Sequence, residues 1–107
     1  MILSNTELLT GYKIVAHRGL VMGNTIRARH VGRDILAVFR MLIGGEITEY
    51  TKMIAESREQ SLDRMKQQAQ DMGANAVINI RFTTSAIAAS AAELLAYGTA
   101  VVVEPIE

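Results

Sequence analysis

The chain contains no cysteine, carries no net charge and has few aromatic residues. Without cysteine, a disulfide, a thiolate nucleophile and a thiolate metal site are all excluded. Eleven basic residues balance eleven acidic ones. We therefore expect neither nucleic acid nor an anionic membrane surface as a partner, since both attract proteins with a net basic surface. A cysteine-free composition also suits a reducing compartment, and we expect the cytoplasm.

Long hydrophobic runs are also missing. The longest apolar stretch, residues 35–43, is interrupted by Arg40, whereas a helix that spans a bilayer needs about 18 or more apolar residues. Residues 1–7 lack the basic start and the apolar run of a signal peptide. The sequence therefore predicts no membrane segment.

What the chain does have is apolar content in a short length. Its 107 residues fit one domain, residues 1–107, and half of them are hydrophobic while 21% are charged. A chain of this size leaves much of its surface exposed after folding. Part of the apolar surface is therefore expected to contact another copy of the chain.

Two elements are predicted in the first half. Residues 11–22 form a strand-like apolar run, and Gly23 and Asn24 predict a turn after it, because both residue types tolerate positive φ. Residues 32–43 carry apolar side chains at helical spacing, and Gly44-Gly45 ends that helix.

A longer helix is predicted over residues 48–72, with Gly73 as its C-terminal stop. Its expected buried stripe follows three- and four-residue steps and contains Ile47, Tyr50, Ile54, Ser61, Met65, Ala69 and Met72. Glu, Lys, Arg, Gln and Asp occupy the other side, which predicts a solvated face.

Two strands complete the pattern. Residues 76–84 alternate apolar and polar side chains, residues 94–103 are almost continuously apolar, and the alanine-rich stretch between them is either a wide connection or an extension of the strands. The order predicts an α+β fold, a mostly antiparallel sheet packed on one long helix plus a shorter helix. A strand that is apolar on both sides needs cover on both faces. We therefore expect an oligomer interface at Tyr97, Thr99, Val101 and Val103.

Metal-binding candidates are sparse. His17 and His30 are the only histidines, and they lie on different predicted elements without an HxxxH or HExxH spacing. Glu46 could add an oxygen ligand, although an acidic residue near a helix start is ordinary. A site made within one chain is not predicted, whereas a site made between subunits stays open.

A basic cluster precedes the first predicted helix. Arg27, Arg29, His30 and Arg33 could hold a small anion together with backbone donors at the helix start. A solvated loop or charge pairs across a subunit contact is the commoner role of such a cluster. The glycines at 19 and 23 match neither GxxxxGK[ST] nor GxGxxG. Aromatic residues for base stacking are absent around the cluster, so nucleic-acid binding is not expected.

Catalytic signals are missing as well. Ser57 and Ser61 lie within the long predicted helix, no GxSxG motif is present, and no acid/base pair stands out. We therefore do not expect an enzyme, although a composite site or small-ligand pocket between subunits would escape this reasoning.

Several short motifs resemble the YbjQ-like family in their order and spacing. They are Gly19 with Gly23-Asn24, Arg33-Asp34, Gly44-Gly45 followed by Tyr50, AQDMGANAV at 69–77, and Tyr97-Gly98-Thr99-Ala100-Val101. The resemblance covers nearly the whole chain. It implies a small dodecin-like subunit that forms pentameric rings, sometimes paired into decamers, and a family label of heavy-metal binding. A metal ion is the only cofactor that it implies. No ligand set carries over by residue, and Glu46 stands where the family usually has an arginine.

Overall fold

The computed structural model describes residues 1–28, 48–88 and 91–107 of the chain. The elements are strand β1 (Ile2–Leu3), strand β2 (Tyr12–Ala28), helix α1 (Thr48–Asp71), strand β3 (Ala76–Ala88) and strand β4 (Ala91–Pro105). Within these residues the fold is α+β, one helix packed on a four-stranded sheet. The helix predicted over residues 32–43, with its Gly44-Gly45 stop, lies outside the described residues.

The sheet is mixed, in the order β1-β3-β4-β2. Strands β3 and β4 pair antiparallel, as do β4 and β2, but β1 runs parallel to β3 with Ile2 opposite Ala76 and Leu3 opposite Val77. The expectation of a mostly antiparallel sheet is thereby corrected. The two-residue strand β1 is too short to show the alternation by which a strand is recognised in a sequence.

Strand β2 continues through the expected turn at Gly23 and Asn24. Gly23 lies opposite Ala96 and Asn24 opposite Leu95 in the pairing with β4. A Cβ atom at Gly23 would lie 2.1 Å from the carbonyl oxygen of Ser61 and 2.4 Å from the amide nitrogen of Met65. Glycine is therefore required there because helix α1 crosses the strand closely, and the predicted turn is wrong.

Helix α1 begins where predicted and ends at Asp71, one residue before the predicted end, and Gly73 follows with φ +80°. A glycine in the left-handed region just past a helix is a common C-terminal stop. The buried residues of α1 recur every four positions, at Ser57, Ser61, Met65 and Ala69. Ile54, expected in this stripe, is 48% exposed.

Buried side chains lie on both faces of the sheet. On the helix side, Val21, Val77 and Ala96 pack with Met65 and Ala69. On the opposite side, a second cluster lies beneath the N-terminal segment (residues 1–11) and consists of Ala76, Ile78, Val101 and Val103, with Ile2, Leu9 and Ile14 packed against it. The N-terminal segment therefore covers part of the face that α1 leaves free.

The N-terminal segment also borders the outer edge of β3. The Ser4 amide donates to the Val77 carbonyl at 2.9 Å, and the amides of Asn79 and Ile80 donate to the Thr6 and Ser4 carbonyls at 3.0 and 3.1 Å. Asn79 has φ +55° at a register shift between β3 and β4. Asn is one of the few side chains that adopt this conformation readily.

Candidate interaction surface

Alternate side chains of β2 face opposite ways. Val21, Gly23 and Thr25 are buried against α1, so Leu20, Met22 and Ile26 point to the face without the helix. Their exposed fractions are 61%, 48% and 55%. We call this surface the open face. It comprises these three residues of β2 and the neighbouring residues of β4 in the pairing register, Leu95, Tyr97 and Thr99.

One polar pair interrupts the open face. The Asn24 side-chain amide donates to Glu93 Oε2 at 3.3 Å. The surrounding side chains are apolar or uncharged, so an exposed apolar strip lies on the part of this face that the N-terminal segment does not cover.

The four residues predicted as an interface divide into two pairs. Tyr97 and Thr99 are half-buried and lie on the open face. Val101 and Val103 are 0% and 4% exposed, packed within the chain against the N-terminal segment. The accessible part of the predicted interface is therefore Tyr97 and Thr99.

A buried polar contact joins α1 to the sheet. The hydroxyl oxygens of Thr25 and Ser61 lie 2.9 Å apart, the Ser57 carbonyl lies 3.2 Å from Thr25 Oγ1, and the Leu94 carbonyl lies 3.1 Å from Ser61 Oγ. The two hydroxyl protons are shared among these three contacts. No histidine or carboxylate takes part in these bonds. The contact therefore holds the helix on the sheet and has no base to activate a hydroxyl as a nucleophile.

Cavities border helix α1 in the described part of the chain. One of about 130 Å³ lies between Ile54, Thr84 and Leu94. A wider, open groove of about 480 Å³ has Leu62 and Phe82 on its walls and Arg81 at its edge. Arg81 Nη1 donates to the carbonyls of Asn5 and Ile80, at 2.8 and 2.9 Å. The charge of Arg81 thus fixes the N-terminal segment beside β3.

The predicted metal and anion residues are not brought together by the described structure. His17 lies exposed on β2 opposite Val101, and Arg27 belongs to the same strand opposite Ala92. The candidates His30, Glu46, Arg29 and Arg33 lie outside the described residues. Over residues 1–28, 48–88 and 91–107, no three His, Asp or Glu residues group so as to hold a metal ion. The donors described in a single chain therefore do not fit a heavy metal.

Some of the residues by which α1 contacts β2 were not anticipated from the sequence, whereas Ser61, Met65 and Ala69 of the predicted stripe were. Besides Gly23, the unanticipated residues include Thr25 and Ser57, both buried. The signal available was the pair of small side chains four residues apart, Ser57 and Ser61, which permits a helix to approach a strand closely. The alternation of β2 beyond Gly23 was obscured by the expected turn.

The outer edge of β2 is partly covered by α1. The Met22 amide donates to Gln68 Oε1 at 2.7 Å, and Arg64 Nη1 donates to the Asn24 carbonyl. These two side chains bond backbone groups that would otherwise be available to another strand.

Within the part of the chain that the structure describes, no helix is long and apolar enough to cross a membrane.

Comparison with solved structures supports the fold. The chain is similar to the crystal structure of a protein with unknown function from Pediococcus pentosaceus, assigned to the DUF74 family. The TM-score is 0.70 at 14% sequence identity, with 97% of this chain and 98% of the other covered. At that identity the likeness shows the fold alone.

Sequence comparison gives nearer relatives. A UPF0145 protein of Dehalococcoides mccartyi strain BAV1 is 55% identical over 104 residues, covering 97% of this chain and 100% of the relative. A UPF0145 protein of Pyrococcus horikoshii is 53% identical over 107 residues, covering 100% and 92%. A family model described as "Putative heavy-metal-binding" matches residues 1–104. The resemblance found in the short motifs is thus confirmed, and the chain belongs to this YbjQ-like family.

Proposed function

We propose that the protein is a homo-oligomeric assembly protein. In this proposal it is a dodecin-like subunit of a cytoplasmic pentameric ring, rings pair into decamers, and the open face is buried between copies. The observation that carries the proposal is the row of exposed apolar side chains at Leu20, Met22 and Ile26.

Burial of the open face between copies would stabilise the assembly. Complete burial of one such side chain contributes about 1.5–3 kcal/mol. Leu20 and Met22 lie side by side with Tyr97 adjacent, and Ile26 lies beyond the Asn24–Glu93 pair. Exposed apolar side chains grouped in this way mark protein contacts. A second copy of the chain is the partner that the proposal assigns to this surface.

The dimensions of the molecule support the same proposal. Its Cα radius of gyration is 17.6 Å and its shortest extent is 15 Å. A compact domain of this length has a radius of gyration of about 13 Å. An elongated two-layer subunit has more surface than its own core can cover, and contacts between copies would reduce that exposure.

The proposal assigns no catalytic centre to a single chain. The buried hydroxyls of Thr25 and Ser61 bond to each other and to backbone carbonyls. Their role in the proposal is to fix α1 over β2, so that the opposite face remains free to contact a neighbour.

The test is the molar mass of the protein and of one charged variant, measured by light scattering after gel filtration at micromolar concentration. The wild type should give a multiple of the chain mass. Leu20→Asp should lower the mass, because a carboxylate buried without a partner is strongly unfavourable. Its far-UV circular dichroism should stay native, since Leu20 is 61% exposed in the single chain.

Leu8→Asp is the matched control. Leu8 is 72% exposed, lies in the N-terminal segment and is not one of the six residues of the open face. This variant should keep the wild-type mass. A wild-type protein that is a monodisperse monomer would exclude the proposal, and equal masses for all three proteins would exclude the open face as the contact.

A second candidate is a binding module for a metal ion or a small anion, and the family description favours the metal. Since the described residues of one chain provide no donor set, this candidate requires donors from several copies. His17, exposed on β2, is the described residue that a ring would repeat around its axis. For an anion, the candidates remain Arg27, Arg29 and Arg33.

A further inference from the structure

The outer edge of β3 is open over its second half. Strand β1 borders β3 at Ala76 and Val77, and the N-terminal segment bonds as far as Ile80. From residue 81 to residue 88, no strand in the described residues pairs with this edge. The side chains of residues 81–86 are all exposed. Within the described part of the chain, residues 81–86 therefore have exposed side chains and an edge that no strand pairs with.

The backbone groups of β2 that face away from β4 show which residues of β4 bond to β2. The Met22 amide and the Asn24 carbonyl bond to side chains of α1, away from β4. In an antiparallel pair, residues alternate between bonding to the partner strand and facing away from it. The residues that flank Met22 and Asn24 in β2 therefore bond to β4. These pairs are Val21 with Gly98, Gly23 with Ala96, and Thr25 with Leu94.

The same alternation then assigns the backbone groups of β3. The intervening residues of β4 bond to β3, where Tyr97 lies opposite Arg81 and Leu95 opposite Thr83. Consequently the amides and carbonyls of Phe82, Thr84 and Ala86 face outward.

The open edge lacks the features that prevent pairing. Residues 82–88, FTTSAIA, include no charge and no proline, whereas exposed edges are usually protected by charged side chains, proline or bulges. The segment also contains Phe, Ile and two Thr, residue types enriched in strands. The edge of β2, by contrast, is bonded by Arg64 and Gln68.

We propose that the β3 edge over residues 82–86 pairs antiparallel with the same edge of a second copy, around a two-fold axis at Thr84. This inference deepens the proposed homo-oligomer by assigning a second contact to it. Phe82 of one copy would lie opposite Ala86 of the other, and the three outward residues of each copy would exchange about six backbone hydrogen bonds.

Charge favours a second copy as the partner. Arg81 is the only charged residue from 81 to 88. In this register it lies opposite residue 87 of the other copy, and six residues of strand separate the two arginines by about 20 Å. That distance exceeds the Debye length of about 8 Å at physiological salt, so the pairing brings no like charges together.

The test compares Thr84→Pro with Thr84→Val. Proline removes the outward amide and leaves the bonds to β4 intact, which an edge strand tolerates. Valine keeps the amide and the β-branched shape. We expect the wild type to contain an even number of chains, Thr84→Pro to have half that mass, and Thr84→Val to keep it. The Leu20→Asp variant should be a dimer, because its β3 edge is unchanged.

The outcomes separate the two proposals. An odd-numbered wild-type ring, or an unchanged mass for folded Thr84→Pro, would overturn the edge pairing and leave the open face in place. If Thr84→Pro does not fold, amide hydrogen exchange of the wild type decides. Protection of the Thr84 amide supports the pairing, and exchange at the rate of an unstructured peptide overturns it.

Discussion

At the scale of single residues, Gly23 shows most clearly how tertiary contact determines a sequence position. Glycine followed by asparagine favours a turn, since both tolerate positive φ. In the structure Gly23 lies within β2, and the backbone of α1 passes so close that any Cβ would overlap it. This role depends on a helix that begins twenty-five residues later, so local sequence could not reveal it.

We predict that Gly23→Ala destabilises the fold by about 3 kcal/mol, in the upper range for overpacking. Its new Cβ would meet the backbone atoms of Ser61 and Met65, which cannot rotate away as a side chain can. Urea unfolding at one fixed protein concentration measures the change.

Gly73→Ala is the comparison for the Gly23 variant. A Cβ at Gly73 meets no atom within 4 Å, and only its φ of +80° is unfavourable, so a loss of about 1 kcal/mol is expected. Equal losses for both variants would contradict the close approach of α1 to β2.

At the scale of elements, α1 was predicted almost to the residue, because its amphipathic pattern and its glycine stop are both local. The strands were predicted too short. Strand β3 extends to Ala88 and β4 begins at Ala91, whereas small residues such as alanine give no strand signal of their own. They are in strand conformation because they pair with each other, and pairing is not visible in a single segment.

The attachment of α1 to the sheet gives a prediction for two hydroxyl groups. Ser61→Ala should destabilise by about 1–2 kcal/mol, since the Leu94 carbonyl loses a buried donor and Thr25 loses a partner. Thr25→Val, which keeps the branched shape, should cost about as much. The double variant should lose about 1 kcal/mol less stability than the sum of the two single losses. Each single variant already removes the Thr25–Ser61 hydrogen bond, so the sum counts that bond twice.

Urea unfolding of the four proteins in this cycle checks the coupling. The protein concentration must be the same throughout, because assembly contributes to apparent stability. Strict additivity of the two single losses would show that the Thr25–Ser61 contact carries no energy of its own.

At the scale of the whole molecule, the expected α+β class is confirmed, with a mixed sheet. The open face could be expected in general terms, because a strand that is apolar on both sides needs a second cover. The residues that make up the open face could not be predicted, because the N-terminal segment covers Val101 and Val103 and leaves Tyr97 and Thr99 half-buried. That division depends on the path of residues 4–11, for which the sequence carries no periodic signal.

If the second candidate function holds, metal binding requires the oligomer, because donors from several chains form each site. We predict that the wild-type protein binds zinc, copper or cadmium at fewer than one ion per chain in isothermal calorimetry, because several chains share each site. Monomeric or dimeric Leu20→Asp should then lose the uptake, and His17→Ala should lose it while keeping the wild-type mass. Absence of uptake with all three metals, followed by binding of phosphate, would favour the anion site instead.

The two side chains that α1 places on the edge of β2 affect whether the sheet can extend from one copy of the chain to the next. A sheet with two available edges can add copies without limit, as fibrils do. Here Arg64 and Gln68 occupy the Asn24 carbonyl and the Met22 amide at one edge, so joining through the other edge would give an eight-stranded sheet whose further growth is hindered at Met22 and Asn24. Helix α1 would then limit the addition of further copies at the β2 edge. The chain could therefore associate through an uncharged strand edge without forming a filament.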